Sequence, residues 1–235
     1  MEKGILYVVG TPIGNLADLS YRAVEVLSSV DLIAAEDTRH SRILLDRYQI
    51  RTPVTSFHSH NQARKTPQLL DRLEKGESVA IISDAGTPGI SDPAYYLVSR
   101  AVERGIPVTC VPGPAAFLAA LVISGLPTHR FVFEGFLPTK KGRKTRLEEL
   151  AEEPRTVILY ESPYRLLRTL RDLKAYMGNR RVAVARELTK MYEEVVRGTL
   201  EEVVQHFEKT TIRGEFVIVL EGCERKKVKK EGTGE

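Results

Sequence analysis

The chain has 235 residues, 28% of them charged, with a formal net charge of +4. This length supports one or two domains with a sizeable core, and this composition excludes bulk disorder. Half of the positive excess lies in 223–235, CERKKVKKEGTGE, where five Lys/Arg face three Glu. This basic tail is expected to be a solvated, disordered end, with a nucleic-acid contact as its other use.

Strand and helix patterns alternate from the N-terminus. ILYVVG (5–10) is an apolar run that predicts a buried strand. LSYRAVEVLSSV places Ala23, Val26, Leu27 and Val30 three and four apart, which predicts a helix. DLIAAED predicts a second strand, SRILLDRYQI a helix and TPVTSF a third strand. QARKTPQLLDRLEKG predicts a helix that ends at Gly76, with Pro67 in an early turn. SVAIIS is the next strand, and Asp92-Pro93 reads as an N-cap followed by the first helical residue. VTCVPG predicts a strand with Cys110 buried as a small hydrophobe, and PAAFLAALVISG a buried helix ended by Gly125.

The pattern restarts around LPTHR (126–130). FVFEGF, RTVILYES, RRVAVARE, YEEVVRG and GEFVIVLEG read as strands. GRKTRLEELAEE reads as a helix, and Ser162-Pro163 as the start of another, YRLLRTLRDLKAYMG. Thr199 with Glu202 forms a capping box for LEEVVQHF. The expected architecture is α/β: an N-terminal domain over 1–125, a C-terminal domain over 126–222 and the tail 223–235, with a ligand cleft between the domains. Cys110 and Cys223 form no metal or redox motif, which fits a reducing cytoplasm. The N-terminus reads as no signal peptide, and the longest apolar run, AAFLAALVISGL, is too short to span a bilayer.

Three small-residue loops follow strands in the first block: GTPIGNL (10–16), SDAGTPGISDP (83–93) and VPGPAAF (111–117). In open α/β sheets ligands sit outside the carboxyl ends of strands. None of the loops is a P-loop, and GTPIGN is not the dinucleotide fingerprint. They hold no Lys or Arg, and the second carries Asp84 and Asp92. A ligand held by such loops carries no phosphate cluster. S-adenosylmethionine, with a sulfonium, an ammonium, ribose hydroxyls and an adenine, is suited to them. The loops narrow the choice without selecting the ligand.

VGTPIGNLADLSYRA, AAEDTRHSRILL, FHSHN, SDAGTPGISDP, VPGPAAFLAAL, FEGFLP, LYESPYR, ARELTKMYEE and GEFVIV together resemble the tetrapyrrole-methylase-type (class III) S-adenosylmethionine methyltransferases, from about Leu6 to Leu220. Within that family the chain is similar to the branch that 2′-O-methylates a cytidine ribose (1402 in the standard numbering) in the decoding region of 16S rRNA. The resemblance implies two α/β domains with the cofactor in the cleft between them, and a homodimer. It implies cofactor contacts at Gly10 and Pro12, at Asp84, Ala85, Gly86, Thr87, Ile90 and Ser91, at Pro112, Gly113, Ala116 and Phe117, and at Tyr160 and Glu161. The implied substrate is 16S rRNA, free or in the assembled small subunit. Asn15 stands where tetrapyrrole-modifying relatives have an acidic residue, and Ala115-Ala116 where they often have serines. Both departures fit the rRNA branch. Some relatives also carry a longer C-terminal extension.

Methyl transfer to a 2′-OH depends on alignment of donor and acceptor and on a base for the hydroxyl proton. Candidate bases are Asp37, Glu36, His58, His60, Tyr160 and Lys190, with the acidic EDTR segment favoured and Arg39 available to hold a phosphate. His58 and His60 lack companions for a metal, so no metal is expected. Those two, with Asn61, read as RNA contacts. TKKGRKTR (139–146) puts five cations at a helix start, where the macrodipole disfavours them. Lys140, Lys141, Arg143 and Lys144, with Arg165 and Lys190, are therefore candidate phosphate contacts. A class III methyltransferase acting on a small molecule or a protein, and a non-catalytic RNA-binding module, are the alternative readings.

Overall fold

The computed structural model describes residues 2–224, so the basic tail beyond Glu224 lies outside the described residues. The chain divides into two compact units, one through Ala116 and one from Phe117. The sequence reading put the boundary after Gly125. The helix between these two positions is apolar nearly all round, so its periodicity carries no information about which neighbour it joins.

The first unit is a five-stranded parallel sheet in the order β3-β2-β4-β1-β5. Its strands are β1 (Leu6–Val9), β2 (Leu32–Ala35), β3 (Val54–Ser56), β4 (Val79–Ile82) and β5 (Val108–Val111). Its helices are α1 (Tyr21–Ser29), α2 (Thr38–Arg47), α3 (Gln62–Glu74) and α4 (Ala94–Glu103). Because strand side chains alternate, each central strand feeds two cores. Leu6, Leu32, Ala34, Val79 and Ile81 pack with Leu69, Leu70 and Leu73 of α3 and Leu97 of α4. Val9, Ile33, Ala35, Ala80 and Ile82 pack with Ala23 and Leu27 of α1 and Leu44 and Leu45 of α2. Burial on both faces explains the continuous apolar runs of β2 and β4.

The second unit holds α5 (Ala116–Ile123), with its first residue at the division, and a mixed sheet ordered β6-β7-β10-β8-β9. The strands are β6 (Phe131–Phe136), β7 (Thr156–Glu161), β8 (Arg181–Arg186), β9 (Glu194–Thr199) and β10 (Phe216–Leu220). Only the β6–β7 pair is parallel. Helices α6 (Arg143–Ala151), α7 (Leu166–Met177) and α8 (Leu200–Glu208) share one core with alternate residues of these strands, among them Val157, Leu159, Val184 and Ile218. The Thr199–Glu202 capping box starts α8 as expected.

Four local expectations change. Cys110 is exposed, because β5 is an edge strand. Helix α5 buries Ala120 and Leu121 but exposes Leu118 and Val122. Helix α7 begins at Leu166, after a turn in which Arg165 and Leu166 both donate backbone N–H bonds to the Ser162 carbonyl. Pro93, not Asp92, takes the N-cap position of α4, although the Asp92 carboxylate still accepts the Ala94 N–H at 2.8 Å.

Arg143 is also not on the surface. The residue is 5% exposed. Nε donates to Asp172 at 2.9 Å, Nη1 to the Pro138 carbonyl at 3.1 Å and Nη2 to Thr169 at 2.9 Å. A buried guanidinium with every arm engaged ties α6 to α7 and is not available to RNA, which corrects its place among the phosphate contacts. Arg143→Ala leaves Asp172, itself about a third exposed, with only the more distant Arg168 at 3.9 Å. The expected loss in urea unfolding is about 2–4 kcal/mol, below the usual cost of a fully buried pair because of that exposure. Lys140→Ala and Lys141→Ala, at exposed positions, should stay within about 0.5 kcal/mol of the parent.

Candidate active site

β1 and β4 are neighbours in the parallel sheet, and the chain leaves β1 for α1 and β4 for α4, which pack on opposite faces. The loops after β1 and β4 therefore meet at the carboxyl end of the sheet, where ligands of open α/β sheets bind, and Thr11, Pro12, Ser83 and Asp84 of these loops border a crevice there. These loops are GTPIGNL and SDAGTPGISDP.

Backbone contacts tie the loops together. Thr11 N–H donates to the Gly86 carbonyl at 2.9 Å, and Gly86 N–H donates to the Thr11 carbonyl at 3.1 Å. The Thr11 hydroxyl reaches the Ser83 carbonyl at 3.1 Å. The third loop joins by close approach: a Cβ on Gly10 would stand 2.7 Å from the Gly113 Cα, and one on Gly113 2.8 Å from the Gly10 Cα. The Thr87 hydroxyl donates to the Pro114 carbonyl at 3.1 Å and links the second loop to the third. Gly86 and Gly89 have φ of +82° and +89°, where a side chain is strained. Ser91 holds φ +69° without that freedom. Both Asp92 oxygens accept the Gly89 N–H, at 2.9 and 2.8 Å, which fixes this bend.

The carboxylates at the crevice have separate tasks. Asp84 Oδ1 accepts the Asp37 N–H at 3.0 Å and so joins the second loop to the end of β2. Asp37 caps α2 by accepting the Arg39 N–H at 2.8 Å, and its two oxygens also meet the Arg39 guanidinium. That side-chain hydrogen bond, with the backbone one, lowers the Asp37 carboxyl to about 2. A carboxylate so stabilised is a weak proton acceptor. Glu36 is the opposite case: burial raises its carboxyl above the ordinary value, and the charges of Asp84 and Asp92 add to the rise. Sequence reasoning placed Asp37 and Glu36 together. It could not separate them, because the difference comes from a cap and from neighbours distant in sequence.

In the second unit Tyr160 and Glu161 end β7. The Tyr160 hydroxyl accepts the Phe117 N–H at 3.3 Å, and its ring meets Phe133 edge-on at 5.0 Å. Burial raises the Tyr160 phenol, which makes it a poor base. Glu161 is 2% exposed and binds Arg165 at 2.7 Å and Thr169 at 2.6 Å. Its carboxylate and the Arg165 guanidinium are thus committed to the fold. Asn61 is likewise buried: its Oδ1 accepts the His58 N–H, and its Nδ2 donates to the Ser56 carbonyl. Lys190 donates to Glu187 at 2.9 Å and to Glu215 at 2.8 Å, and these bonds raise its ammonium against the opposing effect of burial. Lys140 and Lys141 are exposed and have no ion pair among the described residues, while Lys144 lies 3.7 Å from Glu148. His60 is exposed. Among the described residues no group of three His, Cys, Asp or Glu is placed to hold a metal ion.

The donor set fits a ligand that carries positive charge and sugar hydroxyls. Asp84 and Glu36 supply acceptors, and no Lys or Arg belongs to the three loops. Gly10 and Gly113 permit this arrangement by touching. Gly113→Ala must part the first and third loops, with an expected loss of roughly 1–3 kcal/mol in thermal or urea unfolding. Affinity for S-adenosylhomocysteine should fall at least tenfold in calorimetry. Gly125→Ala meets no atom within 4 Å, although its φ of +78° strains a side chain, and it should leave that affinity unchanged.

The family described as Tetrapyrrole (Corrin/Porphyrin) Methylases matches residues 5–204. A protein of Synechocystis sp., Ribosomal RNA small subunit methyltransferase I, is 54% identical over 94% of this chain and 80% of its own length. The Thermotoga maritima protein of the same name is 48% identical over 94% of this chain and 100% of its own. In fold the chain is similar to uroporphyrin-III C-methyl transferase from Thermus thermophilus, solved in complex with S-adenyl homocysteine, with a TM-score of 0.65 at 18% identity over 93% of this chain and 97% of that one. The glycine loops at the parallel sheet's crevice and the match across both units give one result: the chain belongs to the tetrapyrrole methylase family.

Proposed function

We propose that this protein is an S-adenosylmethionine-dependent methyltransferase that modifies the 2′-hydroxyl of a cytidine ribose, position 1402 in the standard numbering, in 16S rRNA. The observation that carries the methyltransferase reading is the frame of three mutually bonded glycine loops at the carboxyl end of the parallel sheet, acidic and without Lys or Arg of its own. The RNA reading is supported by relatives named for ribosomal RNA small subunit methylation at 54% and 48% identity. Exposed Lys140 and Lys141 agree with a polyanionic partner.

Gly10, Pro12, the 84–91 segment, Pro112 and Gly113 would hold the cofactor, which supplies an activated methyl on a sulfonium. The chain's own task is to orient the acceptor hydroxyl and take its proton. Glu36 suits that task. It stands at the carboxyl end of β2, and the burial and neighbouring charges that raise its carboxyl also make its anion more basic. Asp37 positions: it caps α2, holds Arg39 and gives its N–H to Asp84.

The test is tritium transfer from labelled cofactor to small subunits lacking the modification. Glu36→Gln should lower turnover about 10²–10⁴-fold, the usual share of a general base, with cofactor affinity near normal. Asp37→Asn should cost far less. Turnover of the parent should fall with an acid limb above the ordinary glutamate value of 4.5, as Glu36 takes up its proton. An Asp37 base would give no acid limb until near pH 2. Label on a base, or on no RNA, would overturn the reading.

A further inference from the structure

A small cavity of about 60 Å³ lies beside the crevice, between the first glycine loop and α2. Leu16, Ile43, Leu44 and Ile82 give it apolar walls, and Pro12 and Asp84 stand at its border. Ser41 lines it from α2. This residue is 3% exposed, and its hydroxyl has no hydrogen-bond partner. Ser41 N–H bonds to the Asp37 carbonyl one turn back, but the hydroxyl does not take the common alternative of bonding such a carbonyl.

Buried polar groups are nearly always paired, because leaving one unpaired destabilises the fold. Alanine would fill this position without that penalty and is a better helix former. An unpaired hydroxyl on a residue that lines a cavity beside the site is therefore expected to pair with a ligand that enters and opens it. The cavity has room for several water-sized groups and no more, so it admits the edge of a ring rather than a whole nucleoside. Its apolar walls suit a flat, weakly hydrated surface; the Thr11 and Ser83 hydroxyls in its lining are already paired, and the unpaired Ser41 hydroxyl can donate to a ring carbonyl or nitrogen, or accept from an amine. Enzymes that do chemistry on a base take it out of its stack and read its edge in such a pocket, and a base beside a modified ribose can be held by the same contacts.

We propose that Ser41 is a positioning residue for the acceptor RNA, its hydroxyl bonding the edge of the target nucleobase while the ribose stays at the crevice. This rests on the RNA methyltransferase reading and adds the recognition of the acceptor to it. The apolar walls hold the base, and the Ser41 bond sets its rotation, so that the ribose hydroxyl faces the Glu36 side of the crevice.

The test compares the parent, Ser41→Ala and Ser41→Thr on a decoding-region RNA in small subunits, with an abasic version of the target nucleotide as second substrate. Ser41→Ala should lower kcat/KM for the normal substrate about tenfold, one hydrogen bond's worth. It should leave the dissociation constant of S-adenosylhomocysteine unchanged and the melting temperature equal or higher. Ser41→Thr, which keeps the hydroxyl, should retain most of the activity. On the abasic substrate the parent and Ser41→Ala should react alike, because the partner of the hydroxyl is gone. Equal activity of parent and alanine variant on the normal substrate would overturn the proposal and assign the hydroxyl to water. A tenfold difference that persists on the abasic substrate would assign it to the sugar, and weaker cofactor binding would assign it to the cofactor; either result overturns it. A parent that binds cofactor but labels no RNA would instead overturn the RNA reading on which the proposal rests.

Discussion

The contact of Gly10 with Gly113 is the constraint on which the first unit's site depends. No other residue type permits it, since a Cβ at either position would meet backbone at under 3 Å. It brings the loop after β1 against the loop after β5, two strands that are neighbours in the sheet. The two-way bond between Thr11 and Gly86 then adds the loop after β4, and Thr87 returns to Pro114. Three loops that were separate in sequence become one frame. Their backbone groups are positioned by one another. Loops built this way are preorganised, and preorganisation lets a small site align a reaction that depends mainly on alignment.

Charge is divided on the same principle. The acidic residues of the two motifs look equivalent in sequence, yet each has a different partner. Asp92 bends its own loop, Asp84 takes the Asp37 N–H and Asp37 is neutralised by Arg39. Glu36 is left in a partly buried, negatively charged surrounding that raises its carboxyl. The basic residues divide too. Arg143, Arg146 and Arg165 are drawn into ion pairs with Asp172, Glu134 and Glu161, while Lys140 and Lys141 remain exposed. A cation-rich segment is thus part brace and part surface.

Much of the fold was legible in the sequence. The runs ILYVV, LIAA and VAII are apolar throughout because both faces of a parallel sheet are covered, and the helices between them keep the 3.6-residue spacing. The glycine loops stood out because small residues and breakers followed strands. The ranking of Glu36 over Asp37 was not legible, since it depends on a helix cap and on the approach of Asp84 and Asp92. Burial of Arg143 was hidden because its partners come from a helix 26 and 29 residues on. The exposure of Cys110 depends on β5 being at the sheet edge, which no local pattern encodes. Ser41 showed no sequence signal beyond its place in EDTRHS; only the cavity and the unpaired hydroxyl reveal it.

The proposed function rests on the three joined loops of the parallel sheet holding the methyl donor. A crystal structure of the protein soaked with S-adenosylhomocysteine tests it most directly. Density for the ligand should lie in the crevice at the carboxyl ends of β1 and β4, against the backbone of Gly10–Pro12, the 84–91 segment and Pro112–Gly113, with no basic side chain from those loops upon it. Density elsewhere on the protein, with that crevice empty at saturating ligand, would contradict it.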